Sequence, residues 1–141
     1  MRDLLIRFIL YYLRFWAQLA LRIHRPYVIG VAGSVGKSST RNALHAVLSH
    51  YFKTGVVSGN SETGVPLGIL GRSLDGFSNK NWFNILLKAP LCIGNLRKYQ
   101  YLVVEMGIDD PYPPKNMSYL LTIVKPEMSI DLNATATHTM Q

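Results

Sequence analysis

Two glycines, a lysine and three serines in close succession carry the first chemical signal of this chain: Gly33-Ser34-Val35-Gly36-Lys37-Ser38-Ser39. An apolar run, Tyr27-Val28-Ile29-Gly30-Val31, leads in, and a helix-patterned stretch from Ser38 to Tyr51 leads out. Strand, glycine turn and helix in that order make a phosphate cradle. The backbone N–H groups of the turn converge on an anion, and the helix N-terminus adds partial positive charge. Gly33 and Gly36 let the backbone bend and approach that anion with no Cβ in the way. Lys37 can reach β- and γ-phosphates, and the Ser38 hydroxyl can take a place on Mg²⁺. The strict phosphate-loop pattern asks for glycine five residues before Gly36, where this chain has Val31. The loop is therefore a shorter Gly-x-x-Gly-Lys-Ser-Ser form. An ordinary strand-to-helix turn with a solvated lysine is the plain alternative, and the flanking strand and helix speak against it.

Two more polar residues follow apolar runs. Tyr101-Leu102-Val103-Val104 reads as a buried strand and ends in Glu105-Met106-Gly107. Met128 to Leu132 reads as another and continues through Asn133 to His138. Ligands of open α/β sheets sit at the carboxyl ends of strands, so Glu105 comes near the phosphate loop if the two strands are neighbours. A hydroxyl, a carboxylate and an imidazole around such a loop point to Mg²⁺-nucleotide chemistry. Lys37, Glu105 and His138 are then the catalytic candidates, and Ser38, Glu105 and His138 the metal set. Mg²⁺ prefers oxygen ligands, which makes His138 the weaker member by chemistry alone. Taken singly, Glu105 also reads as a solvated carboxylate and His138 as a loop residue; their shared position at strand ends favours function.

Helix, strand and turn signals supply the frame. Residues 3–24 contain no Gly or Pro and read as one long helix, which Pro26 ends. Residues 27–32 form an all-apolar strand of the kind buried on both faces of a parallel sheet. In the next helix Leu44, Val47, Leu48 and Tyr51 recur at helical spacing and are expected to pack on the sheet, with His45 and His50 in solvent. Residues 55–57 suggest a short strand, 58–64 a polar loop, and 65–70 a short helix with Pro66 in its first turn. Residues 72–80 read as a loop. Trp82 to Leu96 reads as helical in its first half and as core or a second membrane-facing or interface patch. Residues 116–124 read as a short helix. The fold class expected is α/β: a three-layer, mostly parallel sheet of the P-loop type, truncated, over residues 27–141, preceded by an amphipathic helix over 1–26.

Composition excludes several classes. With 48% hydrophobic and 16% charged residues, the chain is neither disordered nor a coiled coil. Its single cysteine, Cys92, cannot form an internal disulfide and reads as a packed thiol. The four histidines show no zinc spacing with it. Net charge is +7, and +4 of it lies in residues 1–25, where five arginines face one aspartate. The basic excess therefore belongs to the N-terminal helix and does not argue for nucleic acid. Asp3, Arg7, Tyr11, Arg14, Gln18, Arg22 and Arg25 share one narrow arc, and the rest of the cylinder is apolar. That pattern suits the cytoplasmic face of an anionic membrane. A full span would place Arg7 and Arg14 in hydrocarbon, and a cleaved signal peptide is disfavoured by the arginines. Docking on a protein partner, or on a missing part of the same chain, is the alternative.

Over residues 27–141 the sequence resembles the ATP-dependent Mur ligases, at the front of their central ATPase domain. Gly33 to Thr40 is similar to that family's short phosphate loop, with Gly33, Ser34, Val35, Gly36, Lys37, Ser38 and Ser39 as its ATP-binding residues. Val103-Val104-Glu105-Met106-Gly107 resembles the strand that carries its Mg²⁺ glutamate. Asn133 to His138 resembles its strand-end asparagine and metal-linked histidine. Asn60-Ser61-Glu62-Thr63-Gly64-Val65-Pro66 is similar to a stretch of the member that adds D-alanyl-D-alanine to UDP-N-acetylmuramoyl-tripeptide. The resemblance implies a cytoplasmic ligase of peptidoglycan precursor synthesis with ATP and Mg²⁺ as cofactors. A substrate carboxylate is phosphorylated, an amine attacks the acyl phosphate, and an amide, ADP and phosphate result. Asn60 and Thr63 would line the acceptor side. Its partners would be a UDP-muramoyl-peptide and D-alanyl-D-alanine.

The chain departs from that pattern in three ways. A basic helix stands in place of the UDP-sugar domain, and the family's carbamylated lysine and its amine-binding domain would both lie beyond Gln141. The expectation is a front portion of a longer protein, unable to complete ligation alone. Other readings are a folylpolyglutamate or cyanophycin type of amide ligase, and a membrane-docked nucleotide-binding module without ligase activity.

Overall fold

A computed structural model describes residues 2–73, 79–107, 112 and 116–133. Four strands, β1 (Tyr27–Ala32), β2 (Thr54–Val57), β3 (Tyr101–Glu105) and β4 (Met128–Asp131), form one sheet in the order β2-β3-β1-β4. All three pairings are parallel. Parallel neighbours need crossovers, and helices supply them: α2 (Lys37–Tyr51) between β1 and β2, α3 (Gly64–Ile69), α4 (Asn79–Lys88) and a 3₁₀ segment continuing it (Ala89–Lys98) between β2 and β3, and α5 (Met117–Ile123) between β3 and β4. A further helix, α1 (Arg2–His24), precedes β1. The expected elements are all present with ends shifted by a few residues, and the strand expected at 101–104 extends to include Glu105 itself.

Successive strand residues face opposite sides of the sheet. Val28, Val57, Leu102 and Val104 join a core shared with α1, α3, the 3₁₀ segment and α5. Ile29, Val31 and Val103, also buried, alternate with them and face the side where α2 lies. Gly30 sits in mid-strand because a Cβ there would come within 3.0 Å of Met106 Sδ and 3.3 Å of Pro126.

α1 shares the core of the sheet domain. Leu10, Leu13, Ala17 and Ala20 recur at spacings of three and four and are all buried, Leu13 completely. They pack against the 3₁₀ segment, α3 and α5. The Tyr12 hydroxyl donates to the carbonyl of Leu86 at 3.0 Å, and the Gln18 amide donates to that of Thr122. The Arg14 guanidinium lies 5.7 Å from the centre of the Tyr119 ring. Burial raises the Tyr119 phenol above its ordinary pKa, against the lowering effect of Arg14. Of the basic arc, Arg7, Tyr11, Arg22 and Arg25 are exposed, whereas Arg14 and Gln18 are half-buried against α5. One stripe of the apolar surface of α1, Leu10, Leu13, Ala17 and Ala20, is covered by this chain's own helices, while Phe15 and Ile23 are each 56% exposed. In the first two turns no apolar side chain from Leu4 to Phe8 is covered. Leu4 and Phe8 share one face and Leu5 and Ile6 point to others, yet all are exposed, Leu4 by 74% and Phe8 by 65%. That end projects clear of the domain.

α2 corrects one expectation. None of its residues is fully buried, and Val47 and Tyr51 are 64% and 74% exposed. Leu44 and Leu48 are half-buried, and so are Lys37, Arg41 and His45. The packed face is therefore rotated from the expected stripe, because it is the face that carries Lys37 and Arg41 to the strand ends. His45 is on it, and only His50 is in solvent, edge-on to Tyr51. Cys92 is half-buried, as a packed thiol, with its sulfur 3.2 Å from Arg72 Nε.

If α1 is a core helix, Leu13→Ala should lower unfolding free energy by about 2–5 kcal/mol, the range for a leucine cavity in a packed core. Chemical denaturation of the variant beside the wild type measures it. A cost below about 0.5 kcal/mol, typical of surface positions, would contradict the packing.

Candidate functional site

The carboxyl ends of β1 and β3 lie side by side because the two strands pair in register, with Val31 opposite Glu105. The chain leaves β1 through residues 33–36 and enters α2 at Lys37. Gly36, before the first helical residue, has a left-handed φ of 86°. Gly33 has φ 135°, and a Cβ there would fall 2.3 Å from the carbonyl oxygen of Leu132. The sequence suggested that both glycines make room for an anion. Gly33 is instead required by the backbone that follows β4, whereas at Gly36 a Cβ would meet only Leu132 Cδ1 at 3.7 Å. The Ser34 N–H donates to the Asn133 carbonyl at 3.2 Å, tying the loop to that same segment.

Lys37 Nζ folds back and donates to the Gly33 carbonyl at 2.7 Å, which holds the ammonium over the loop. Ser38, the second residue of α2, turns its hydroxyl toward β3, with Oγ 3.1 Å from Glu105 Oε1 and 2.9 Å from Oε2. Glu105 is 4% exposed. An ionised carboxylate so buried requires a counter-charge. Arg41 provides it, with Nη1 2.9 Å from Glu105 Oε2. The sequence reasoning passed over Arg41. The signal was its spacing: it lies one helical turn after Lys37 and so shares a face with it.

The acceptor-side candidates lie across the end of β2. The Gly107 N–H donates to the Asn60 carbonyl at 3.0 Å, fastening that loop two residues beyond Glu105. Ser61 Oγ accepts from the Gly64 N–H at 3.1 Å and lies 3.4 Å from Thr63 Oγ1, so Thr63 is built into the start of α3. The Asn60 side chain is exposed, as are Val35 and Ser39 on the phosphate loop. Lys37, Ser38 and Glu105 are thus brought together, and Asn60 is joined to them through backbone. His138 lies outside the described residues. Among the described residues no group of three His, Cys, Asp or Glu could hold a metal ion. The donors at hand are one hydroxyl and one carboxylate, a hard oxygen pair that fits Mg²⁺ when phosphate oxygens and water complete its shell.

The different demands on the two glycines are measurable. Gly33→Ala should destabilise the protein by about 2–3 kcal/mol, since it adds a backbone clash to an unfavourable φ. Gly36→Ala should cost about 1 kcal/mol, the conformational term alone. Equal losses in thermal or chemical unfolding would remove the distinction.

No family model matches the sequence, and no curated protein matches it. Solved structures do match. They include "Crystal structure I of MurF from Acinetobacter baumannii" and the structure of UDP-N-acetylmuramoylalanyl-D-glutamyl-2,6-diaminopimelate–D-alanyl-D-alanyl ligase from the same organism. Each is 23% identical with a TM-score of 0.61, over 87% of this chain and 22% of its own. The chain therefore spans about a fifth of their length. What it shares with that part of these ligases is the fold, a mixed α/β arrangement on an all-parallel four-stranded sheet.

Proposed function

We propose that the chain is the front part of the nucleotide-binding domain of a Mur-type, ATP-dependent amide ligase acting in peptidoglycan precursor synthesis. The observation that carries this reading is the convergence of Ser38 and Glu105 beside a glycine loop capped by Lys37. The likeness in fold to a D-alanyl-D-alanyl ligase supports it.

In this reading the N–H groups of residues 35–38 and the Lys37 ammonium take the β- and γ-phosphates of ATP, while the Ser34 N–H stays on the Asn133 carbonyl. Lys37 exchanges the Gly33 carbonyl for phosphate oxygen and so stabilises charge on the transferring group. Ser38 and Glu105 hold Mg²⁺, whose chemistry is to neutralise phosphate charge and orient the γ-phosphoryl group. His138 stands as a further metal-linked residue by resemblance. Asn60 and Thr63 present the acceptor, whose carboxylate receives the phosphoryl group before the amine displaces phosphate. The acceptor is proposed to be UDP-N-acetylmuramoyl-tripeptide and the amine D-alanyl-D-alanine, in the cytoplasm. The Gly107 N–H bond to the Asn60 carbonyl ties the acceptor-side loop to the end of the strand that carries Glu105, and in this reading the two substrates meet there.

Calorimetry tests the core of this. MgATP should bind the wild type, and Lys37→Ala should weaken it by about 10- to 100-fold, the worth of a lost charge-assisted hydrogen bond. Glu105→Gln should bind ATP with little dependence on Mg²⁺. Equal MgATP affinity in Lys37→Ala would refute the reading.

The projecting end of α1 favours a second property, attachment to an anionic membrane. Leu4, Leu5, Ile6 and Phe8 are exposed beside Arg7, an apolar tip with positive charge. Deleting residues 1–25 would strip Leu13 and Ala17 from the core, so point changes outside the core are the cleaner probe. The wild type should float with phosphatidylglycerol vesicles, less so at high salt, and Leu5→Glu with Phe8→Glu should abolish it. Flotation unaffected by the two glutamates would exclude the tip.

A further inference from the structure

We propose that Arg41 is the resident counter-ion of Glu105, seated where it competes with a divalent cation for the same carboxylate oxygen. The inference rests on the reading of Glu105 as a metal ligand and deepens it. Two donors meet at Glu105 Oε2, Ser38 Oγ and Arg41 Nη1, both at 2.9 Å. The carboxylate is almost wholly buried, and the Arg41 side chain is only 13% exposed.

A divalent cation held by Ser38 and Glu105 would sit at about 2.1 Å from their oxygens. The single Ser38 proton, now shared between the two carboxylate oxygens, would have to turn away. A guanidinium at 2.9 Å from one of those oxygens would then face a second cation across a few ångströms of low-dielectric space. Arginine cannot yield by losing a proton, so it can yield only by moving. Its remaining contacts show where it would stay anchored. Nε and Nη2 lie 3.2 and 3.0 Å from Asn42 Oδ1, and Nη1 is 3.4 Å from the carbonyl of Ser58. These tie the guanidinium to Asn42 on its own helix and to Ser58, in the segment that leads to Asn60. Arg41 is a positioning residue: it pairs with the buried carboxylate and keeps it aimed while no metal is bound.

The experiment uses the 141-residue chain as wild type, Arg41→Ala, Arg41→Gln and Glu105→Gln. Free Mn²⁺ is followed by electron paramagnetic resonance, and unfolding temperature is measured with and without Mg²⁺. Both Arg41 variants should bind Mn²⁺ about tenfold more tightly than wild type, because a competing charge is gone. Mg²⁺ should also raise their unfolding temperature more than it raises that of the wild type. If neither variant folds without metal, recovery of cooperative unfolding on adding Mg²⁺ supports the proposal, and no recovery overturns it. Mn²⁺ affinity in the Arg41 variants equal to or below wild type also overturns it. Glu105→Gln separates the levels. If it binds Mn²⁺ as well as wild type, the metal reading of Glu105 fails and this proposal with it. If binding depends on Glu105 and not on Arg41, only the counter-ion proposal fails.

Discussion

A carboxylate buried at the end of a parallel sheet sets the terms for much of this structure. Glu105 is buried, and the ion-pair and hydrogen-bond partners of its carboxyl group come from α2. Ser38 and Arg41 must both face β3, which fixes the rotation of the helix about its axis. Lys37 then has to lie over the glycine loop, and Val47 and Tyr51 have to turn outward. The same constraint explains why α2 contributes no fully buried residue: its inner face is occupied by side chains with polar work to do.

The arrangement also depends on which strands are neighbours. β1 lies between β3 and β4, so the loop after β1 is flanked by Glu105 on one side and by the segment after β4 on the other. Gly33 is in contact with that segment, and Gly107 with the loop after β2. Four strand ends are therefore linked at one edge of the sheet by backbone contacts as well as by side chains. A shift in any one of these segments reaches the others.

Much of this was legible in the sequence. Apolar runs of strand length alternating with helical periodicity gave the parallel α/β class, and the strand–glycine–lysine–helix order marked the loop. Glu105 could be placed because its strand ends there. What stayed hidden was tertiary. The stripe Leu44, Val47, Leu48 and Tyr51 obeys helical periodicity, but a buried ion pair outweighed hydrophobicity in choosing the inner face. α1 looked like an interfacial helix because an apolar face reads the same whether it meets lipid or protein. Only the partners, located far along the chain in α3, the 3₁₀ segment and α5, distinguish the two. Arg41 was invisible because a lone arginine in a helix is ordinary until its neighbour across the sheet is known.

The distance between α1 and its partners has a consequence during synthesis. Tyr12 bonds to Leu86, 74 residues later, and Gln18 to Thr122, 104 residues later. Ribosomes add about 5–20 residues per second, so α1 emerges on the order of ten seconds before the surface it packs on. Throughout that interval a helix of 23 residues carries Leu10, Leu13, Ala17 and Ala20 uncovered. The nascent chain must therefore keep its most apolar segment out of trouble until the sheet exists, whether by chaperone or by a lipid surface close to the ribosome. α1 is made before the surface it packs on.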